Sequence, residues 1–179
     1  MKHPEKEMMV LLLFTGMNVS EICGLQWKHV NLTESEIDWD QAPVPPRTIT
    51  VRKQWYRGEL EAVKKNRIRN LPIHHSLLDF LMNLKGREKF TGPDDFVVVS
   101  RTGTPVNESN ILARRLKPLA ARLGVPSLSW QVFFRTRKAL VSEFGPQFQS
   151  FVAMVSRSAR TQNGAAQKWR CRPLTRHSH

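Results

Sequence analysis

The order of periodic segments along the chain is the feature that most limits its fold. Residues 8–16 carry apolar side chains at helical spacing, and residues 20–27 predict a short second helix. Residues 48–63 alternate as a β-hairpin does, with a turn at residues 57–59, and residues 69–73 predict a third strand. Further helices are predicted over residues 76–85, 107–123, 130–144 and 148–155. We therefore predict an α+β fold, mostly helical, in which a small three-stranded antiparallel sheet is flanked by helices.

The charge of the chain indicates a polyanionic partner. Its 28 Lys and Arg residues against 15 Asp and Glu residues give a formal net charge of +13, and the pI is near 10.6. Nucleic acid is the commonest polyanion inside cells, so we expect a nucleic acid as the partner, with membrane headgroups as the weaker alternative. The longest apolar run, residues 8–14, is far shorter than the roughly 18 residues that span a bilayer, and no membrane role is expected.

The cysteines, histidines and first residues predict a cytoplasmic protein without a metal or cofactor. Cys23 lies in an apolar helical pattern and Cys171 in a basic tail, so neither a disulfide framework nor a zinc site is indicated. The histidines show no metal-ligand spacing. Glu5 and Glu7 stand where a secretory signal carries only positive charge.

Several blocks of sequence, taken in order, resemble the catalytic domain of the tyrosine recombinase (phage integrase) family. They are residues 15–27, Lys64 and Lys65 ahead of residues 71–73, the turn at residues 100–105, and residues 129–145. Several ordered blocks are more specific than any single motif. The resemblance implies an integrase-type catalytic domain over residues 1–157 that lacks the usual N-terminal core-binding domain of the family. Residues 158–179 are expected to form a basic, disordered tail.

The resemblance also implies a chemistry, which is DNA integration and recombination without metal or cofactor. In that family a tyrosine hydroxyl attacks a backbone phosphate, and two arginines with histidine-type donors hold the developing charge. A lysine of the hairpin protonates the leaving 5′-hydroxyl. Such donors are needed because a phosphodiester resists attack until preorganised groups neutralise its negative charge.

Most residues that this chemistry requires are replaced. Asn18 and Phe134 stand at the positions that match the two arginines. Gln131 and Arg157 stand at the positions of the two histidine-type donors. The nucleophile is expected in the neighbourhood of Ala166 and Gln167. Lys64 matches the hairpin lysine, with Lys65 as the alternative because the loop varies in length. No tyrosine follows Tyr56, which we interpret as a packing residue of a strand. We predict that the chain does not cleave DNA, because no shift of alignment supplies a nucleophile.

DNA binding through phosphate contacts is the function that remains. The cations predicted to bind DNA are Arg52, Lys53, Lys64, Lys65, Arg67, Arg69, Arg135 and Arg157. A second interpretation is a non-catalytic DNA-binding or regulatory module, which adds a helical group of Arg114, Arg115 and Lys117 to the hairpin cations. A solvated positive surface without a partner is the plain alternative. We expect the free protein to be a monomer.

Two further questions stay open at this point. A metal-dependent nuclease would need close carboxylates such as Asp38 with Asp40, or Asp94 with Asp95, but no third ligand has a recognisable spacing. The missing tyrosine fits a fragment, a decayed gene or a shifted reading frame. No acidic residue follows Glu143, which fits either a frameshift or a basic tail that contacts DNA.

Overall fold

Two helices open the fold. The computed structural model describes residues 4–39, 42–125, 127–145 and 147–148. Helix α1 (Glu5–Thr15) ends at Gly16, whose φ of 68° is the left-handed conformation that glycine adopts without a steric penalty. Helix α2 (Val19–Cys23) follows, and a 3₁₀ turn (Trp27–His29) leads into the strands. Both predicted helices are confirmed, although α2 ends earlier than predicted.

The described strands form one three-stranded sheet and two separate hairpins. The sheet contains β1 (Val30–Asn31), β4 (Thr48–Val51) and β7 (Arg69–Pro72) in the order β1-β4-β7, all antiparallel. One hairpin pairs β2 (Ile37–Trp39) with β3 (Ala42–Val44), and the other pairs β5 (Lys53–Tyr56) with β6 (Glu59–Ala62). The predicted small antiparallel sheet is confirmed, but its membership differs from the prediction.

The segment predicted as one strand over residues 48–56 is divided at Arg52. All four residues of β4 are buried between β1 and β7, whereas β5 leaves this sheet and pairs only with β6. The long charged side chain of Arg52 marks the change because it cannot continue a strand that is buried on both faces. The returning residues 60–63 therefore belong to the hairpin and not to the three-stranded sheet.

The remaining described helices lie after the sheet. They are α3 (His75–Lys85), α4 (Glu108–Ile111), α5 (Lys117–Arg122) and α6 (Trp130–Phe144). A π-helical turn (Leu112–Leu116) joins α4 to α5, so the predicted helix over residues 107–123 is essentially continuous. The wider turn precedes Pro118, whose ring would clash with the carbonyl of Arg114 in a regular α-helix. The helix predicted over residues 148–155 lies outside the described residues except for Phe148.

The core forms around α1. Met8, Leu11 and Leu12 are almost completely buried, and they belong to one cluster of buried side chains with residues of α2, the sheet, α3 and residues 97–98. Residues 96–99 add no strand to the sheet, but the Val97 N–H donates to the Leu25 carbonyl at 2.8 Å. Because α1 is buried along its length, it fixes the turn at Gly16 and therefore the start of α2.

The thiol of Cys23 gives a direct test of this packing. Cys23 is completely buried, and burial raises its pKa to about 12, with the negative charge of Glu108 adding to the shift. The thiolate is the form that attacks the disulfide of a thiol reagent and releases the reagent's own thiolate, and it is scarce at pH 8 for such a group. In a Cys171→Ser variant, we expect Ellman's reagent to leave the native protein unmodified at pH 8 while it reacts fully with the urea-denatured protein. Rapid modification of the native protein would contradict the burial.

Candidate nucleic-acid interface

Asn18, which stands at the position of the first arginine in the resemblance, caps helix α2. Its Oδ1 accepts a hydrogen bond from the Glu21 N–H at 2.8 Å, and Glu21 Oε2 accepts one from the Asn18 N–H at 2.9 Å. This reciprocal arrangement is a capping box, which satisfies two backbone donors at the start of a helix. The side-chain oxygen of Asn18 therefore stabilises the helix, and the side chain carries no charge for a phosphate.

Glu21 also joins α2 to the sheet through Arg69. Arg69 Nη1 and Nη2 donate to Glu21 Oε1 and Oε2, each at 2.8 Å. The Glu21 side chain is 3% exposed, so its charge is neutralised inside the protein. The hydrogen bond to Glu21 raises the pKa of Arg69. Arg69 was predicted to bind DNA, and in the structure its guanidinium is engaged mainly by Glu21.

Lys64, Lys65 and Arg67 lie in the loop between β6 and β7, here called the cationic loop. A hydrogen bond from the Arg67 N–H to the Lys64 carbonyl, at 2.7 Å, closes a 3₁₀ turn (Lys65–Arg67). The three side chains are exposed, and within the described part of the chain none of them has an ion-pair partner. The loop therefore presents three cations together to solvent.

The other predicted hairpin cations lie beside this loop. Arg52 Nη2 donates to the Pro43 carbonyl at 3.0 Å, and the Arg52 carbonyl accepts from the Val63 N–H at 2.8 Å. Lys53 begins β5 and is partly exposed. The backbone pairing therefore places Arg52 next to the residue that precedes Lys64.

Tyr56 lies in strand β5, as predicted, but it is not packed in the interior. Its side chain is 45% exposed, and the guanidinium carbon of Arg57 lies 5.2 Å from the ring centroid. The reason is its place in the hairpin, because α2 ends against the backbone of Gln54 while Tyr56 is the last strand residue before the turn. A Cβ at Gly24 would lie 2.6 Å from the Gln54 carbonyl carbon, which shows how closely α2 approaches β5 there.

Gln131, Phe134 and Arg135 lie exposed on the first turns of α6. Ser129 begins this helix by accepting a hydrogen bond from the Val132 N–H at 3.3 Å. Phe134 is 42% exposed and offers no donor, while Arg135 projects about 100° around the helix from it. The position of the second arginine is therefore an exposed apolar side chain.

Arg137 connects α6 to the end of α1, and sequence reasoning missed it. Its Nε donates to the Leu13 carbonyl at 2.9 Å and its Nη2 to the Phe14 carbonyl at 3.4 Å. These carbonyls belong to the last turn of α1, where helical partners are lacking. Burial lowers the pKa of Arg137, although an arginine remains charged near neutral pH. No local sequence signal marks a contact between residues 124 positions apart.

The phage integrase family model matches residues 1–131, which is most of the chain. The chain belongs to this family. Its catalytic-domain fold, inferred above from the ordered blocks of sequence, is confirmed by this match and by solved structures of recombinases. No curated protein matches the chain.

Solved structures that resemble the chain include an integrase and a recombinase. The Tn1549 transposon integrase in complex with a circular intermediate DNA has a TM-score of 0.58 and 19% identity, covering 89% of this chain and 53% of the integrase. The same integrase with transposon right end DNA has a TM-score of 0.55 and 20% identity, covering 90% and 54%. XerA recombinase has a TM-score of 0.51 and 18% identity, covering 93% and 64%. The chain thus spans about half the length of the Tn1549 integrase chains.

Two arginines connect the elements that carry several of the family positions. Arg69 ties β7 to α2, and the cationic loop directly precedes β7. Arg137 holds α6 against the turn that leads to Asn18, and Phe134 lies one helical turn before it on the same face. Asn18 and Phe134, which match the family arginines, therefore lie on segments that Arg137 joins, and Lys64, which matches the family lysine, lies in the loop that leads to Arg69. The surface around these positions is here called the vestigial clamp.

Other predicted residues lie elsewhere or outside the described ranges. Arg114 and Arg115 lie exposed on the π-helical turn, where Arg115 Nε is 3.4 Å from Glu5 Oε1, and Lys117 begins α5. Arg157, the nucleophile positions Ala166 and Gln167, and the tail over residues 158–179 lie outside the described residues. The helical cations thus form a group separate from the cationic loop in sequence.

The carboxylates considered for a nuclease have other partners or are isolated. Asp94 Oδ1 lies 2.7 Å from Lys28 Nζ, and Asp95 Oδ2 accepts from the Gly92 N–H at 2.7 Å. Asp38 is exposed on β2, and Asp40 lies outside the described residues. Among the residues that are described, no three His, Cys, Asp or Glu side chains are grouped to hold a metal ion. The helices of those ranges include none with the length and apolar character to cross a membrane.

Proposed function

We propose that this domain binds double-stranded DNA through phosphate contacts, as a member of a DNA integration and recombination family, and does not cleave it. The proposal is carried by the exposure of Lys64, Lys65 and Arg67 in the cationic loop, which lies beside the vestigial clamp. None of these three cations has an ion-pair partner within the described chain. Exposed cations of this kind suit phosphate oxygens, which give affinity without sequence discrimination. The Tn1549 integrase structures with a similar fold contain DNA, which supports DNA as the partner here.

The absence of cleavage is proposed from the clamp positions. Asn18 is uncharged and its side-chain oxygen is occupied in a capping box, while Phe134 has no hydrogen-bond donor. Loss of a single donor of this kind typically costs about 3 kcal/mol of transition-state stabilisation. The sequence has no tyrosine after Tyr56 to act as the nucleophile. Lys64 would then be a vestigial proton donor that now serves as a phosphate contact.

The cellular setting of this function is part of the proposal. We place the protein in the cytoplasm as a monomer when free of DNA, and it would bind DNA without a metal or cofactor. Residues 1–157 would form the DNA-binding unit, and the basic residues that follow, including Arg157, would add phosphate contacts. A non-catalytic DNA-binding or regulatory module that acts through phosphate contacts is the second candidate, favoured by the exposed Arg114, Arg115 and Lys117 on the α4–α5 segment.

A nicked suicide duplex with a fluorescent label tests both halves of the proposal. We expect anisotropy to report binding at 50 mM salt that weakens at least about 40-fold by 200 mM, because the three phosphates neutralised by the cationic loop alone give a logarithmic slope near −2.7. We expect no covalent adduct on a denaturing gel, with an active tyrosine recombinase and its own nicked site as the positive control. A covalent adduct with this protein, or binding that is insensitive to salt, would overturn the corresponding half.

A further inference from the structure

We propose that Arg137 binds a DNA phosphate at the vestigial clamp, one helical turn beyond the position where Phe134 replaces the second family arginine. The inference rests on the proposed DNA binding and assigns to it a specific anchoring cation. It depends on three features of Arg137: its fixed orientation, its unused hydrogen-bond donors and its lack of a counter-ion in the described chain.

The guanidinium of Arg137 is held in one orientation. The Leu13 and Phe14 carbonyls accept from Nε and Nη2. The group also lies against Gly16, where a Cβ would be 2.6 Å from Nη1 and 2.8 Å from Cζ. A side chain other than hydrogen at Gly16 would therefore displace the guanidinium. An arginine fixed in this way loses little further conformational entropy when it binds an anion.

Arg137 keeps donors that the protein does not use. A guanidinium has five N–H groups, and the two carbonyls account for two of them. Nη1 has no acceptor among the described residues, and the side chain is only partly buried. The remaining N–H groups of Nη1 and Nη2 can therefore donate hydrogen bonds to phosphate oxygens.

The charge of Arg137 is not neutralised by the described part of the protein. Arg69 has Glu21 and Arg115 has Glu5, but no salt bridge to Arg137 is present in the described ranges. A partly buried cation without a counter-ion is unfavourable, and an anion beside it would relieve this cost. The guanidinium lies against Gly16, two residues before Asn18, so an anion there would lie in the vestigial clamp.

A double-mutant cycle on the full chain tests the assignment. DNA affinity and its salt dependence are measured for the wild type, Arg137→Gln, Phe134→Arg and the double variant. We expect Arg137→Gln to weaken binding about fivefold at low salt and to reduce the salt slope by about 1. We also expect Phe134→Arg to increase the DNA affinity of the Arg137→Gln variant more than that of the wild type, because one phosphate cannot bind both arginines with full strength.

Lys138→Gln is the matched control, because it removes the same charge from the next residue of α6, which is exposed. An unchanged slope in Arg137→Gln, or an equal loss in Lys138→Gln, would overturn the assignment while DNA binding by the wild type stands. Failure of the wild type to bind DNA would instead remove the proposed function and this inference together.

A second measurement avoids reliance on the stability of Arg137→Gln. In ¹⁵N spectra of the wild type, the Nε signal of Arg137 is identified as the one missing from Arg137→Lys. We expect this signal to shift when a duplex is added at low salt, and the shift to reverse at high salt. An Nε signal that does not shift although the duplex is shown to be bound would overturn the assignment.

Discussion

Replacing Lys64, Lys65 and Arg67 together by glutamine is expected to weaken DNA binding about 100-fold at 50 mM salt. The estimate takes about 1 kcal/mol for each exposed charged contact, which is below the value for a buried one. The three side chains are exposed on one short turn, fixed by the hydrogen bond from the Arg67 N–H to the Lys64 carbonyl. The logarithmic salt slope should fall by about 2.7 at the same time.

A second triple variant separates local contact from net charge. Lys89, Arg101 and Arg122 are also exposed, so their replacement by glutamine removes the same charge away from the cationic loop. We expect this control to lose only a few-fold in affinity through the weaker long-range field. Equal losses in the two triple variants would show that the cationic loop makes no specific contact. Thermal unfolding should be unchanged in both, because all six side chains lie on the surface.

Replacing Arg69 by methionine is expected to lower the free energy of unfolding by about 3 kcal/mol. The change leaves the carboxylate of Glu21 buried without its partner, and breaking such a pair from one side typically costs about 3–5 kcal/mol. The lower end applies because the Arg69 side chain is 37% exposed, which lets water replace part of the interaction. Urea denaturation at neutral pH measures the effect.

Two comparisons identify the cause of that loss. Replacing both Glu21 and Arg69 by methionine should recover part of the stability, since no charge is then left buried. Glu34→Gln breaks the exposed pair with Arg47 and should leave stability unchanged. A single Arg69→Met variant as stable as the wild type would mean that the hydrogen bonds between Glu21 and Arg69 do not stabilise the protein.

The sequence predicted the elements whose signals are local. Asn107 begins its helix by accepting from the Asn110 N–H at 2.8 Å, and Gly16 ends α1 in the left-handed conformation, as turn and cap chemistry requires. The β2–β3 hairpin was missed because its strands are three residues each and carry little alternation. The division at Arg52 was missed because alternation cannot show that a strand changes partners.

Contacts between distant segments could not be predicted from one sequence. Arg69 has the spacing of a solvated strand residue, yet its partner Glu21 lies 48 positions away. Arg137 likewise donates hydrogen bonds to the end of α1 only because α6 packs there. The substitutions at Asn18 and Phe134 were visible in the sequence, whereas the hydrogen bonds that now occupy Asn18 were not. Local preferences determine which element forms, and packing determines which charges meet.

The capping box at Asn18 has a consequence for the history of the chain. Arginine cannot accept a hydrogen bond from the Glu21 N–H, so a reversion of Asn18 to arginine would lose about 1 kcal/mol from the start of α2. Under the proposed loss of cleavage, that change alone would restore no chemistry, because Phe134 would still offer no hydrogen-bond donor. The cap therefore disfavours an arginine at residue 18 as a single change, since α2 loses stability before a complete pair of arginines can form.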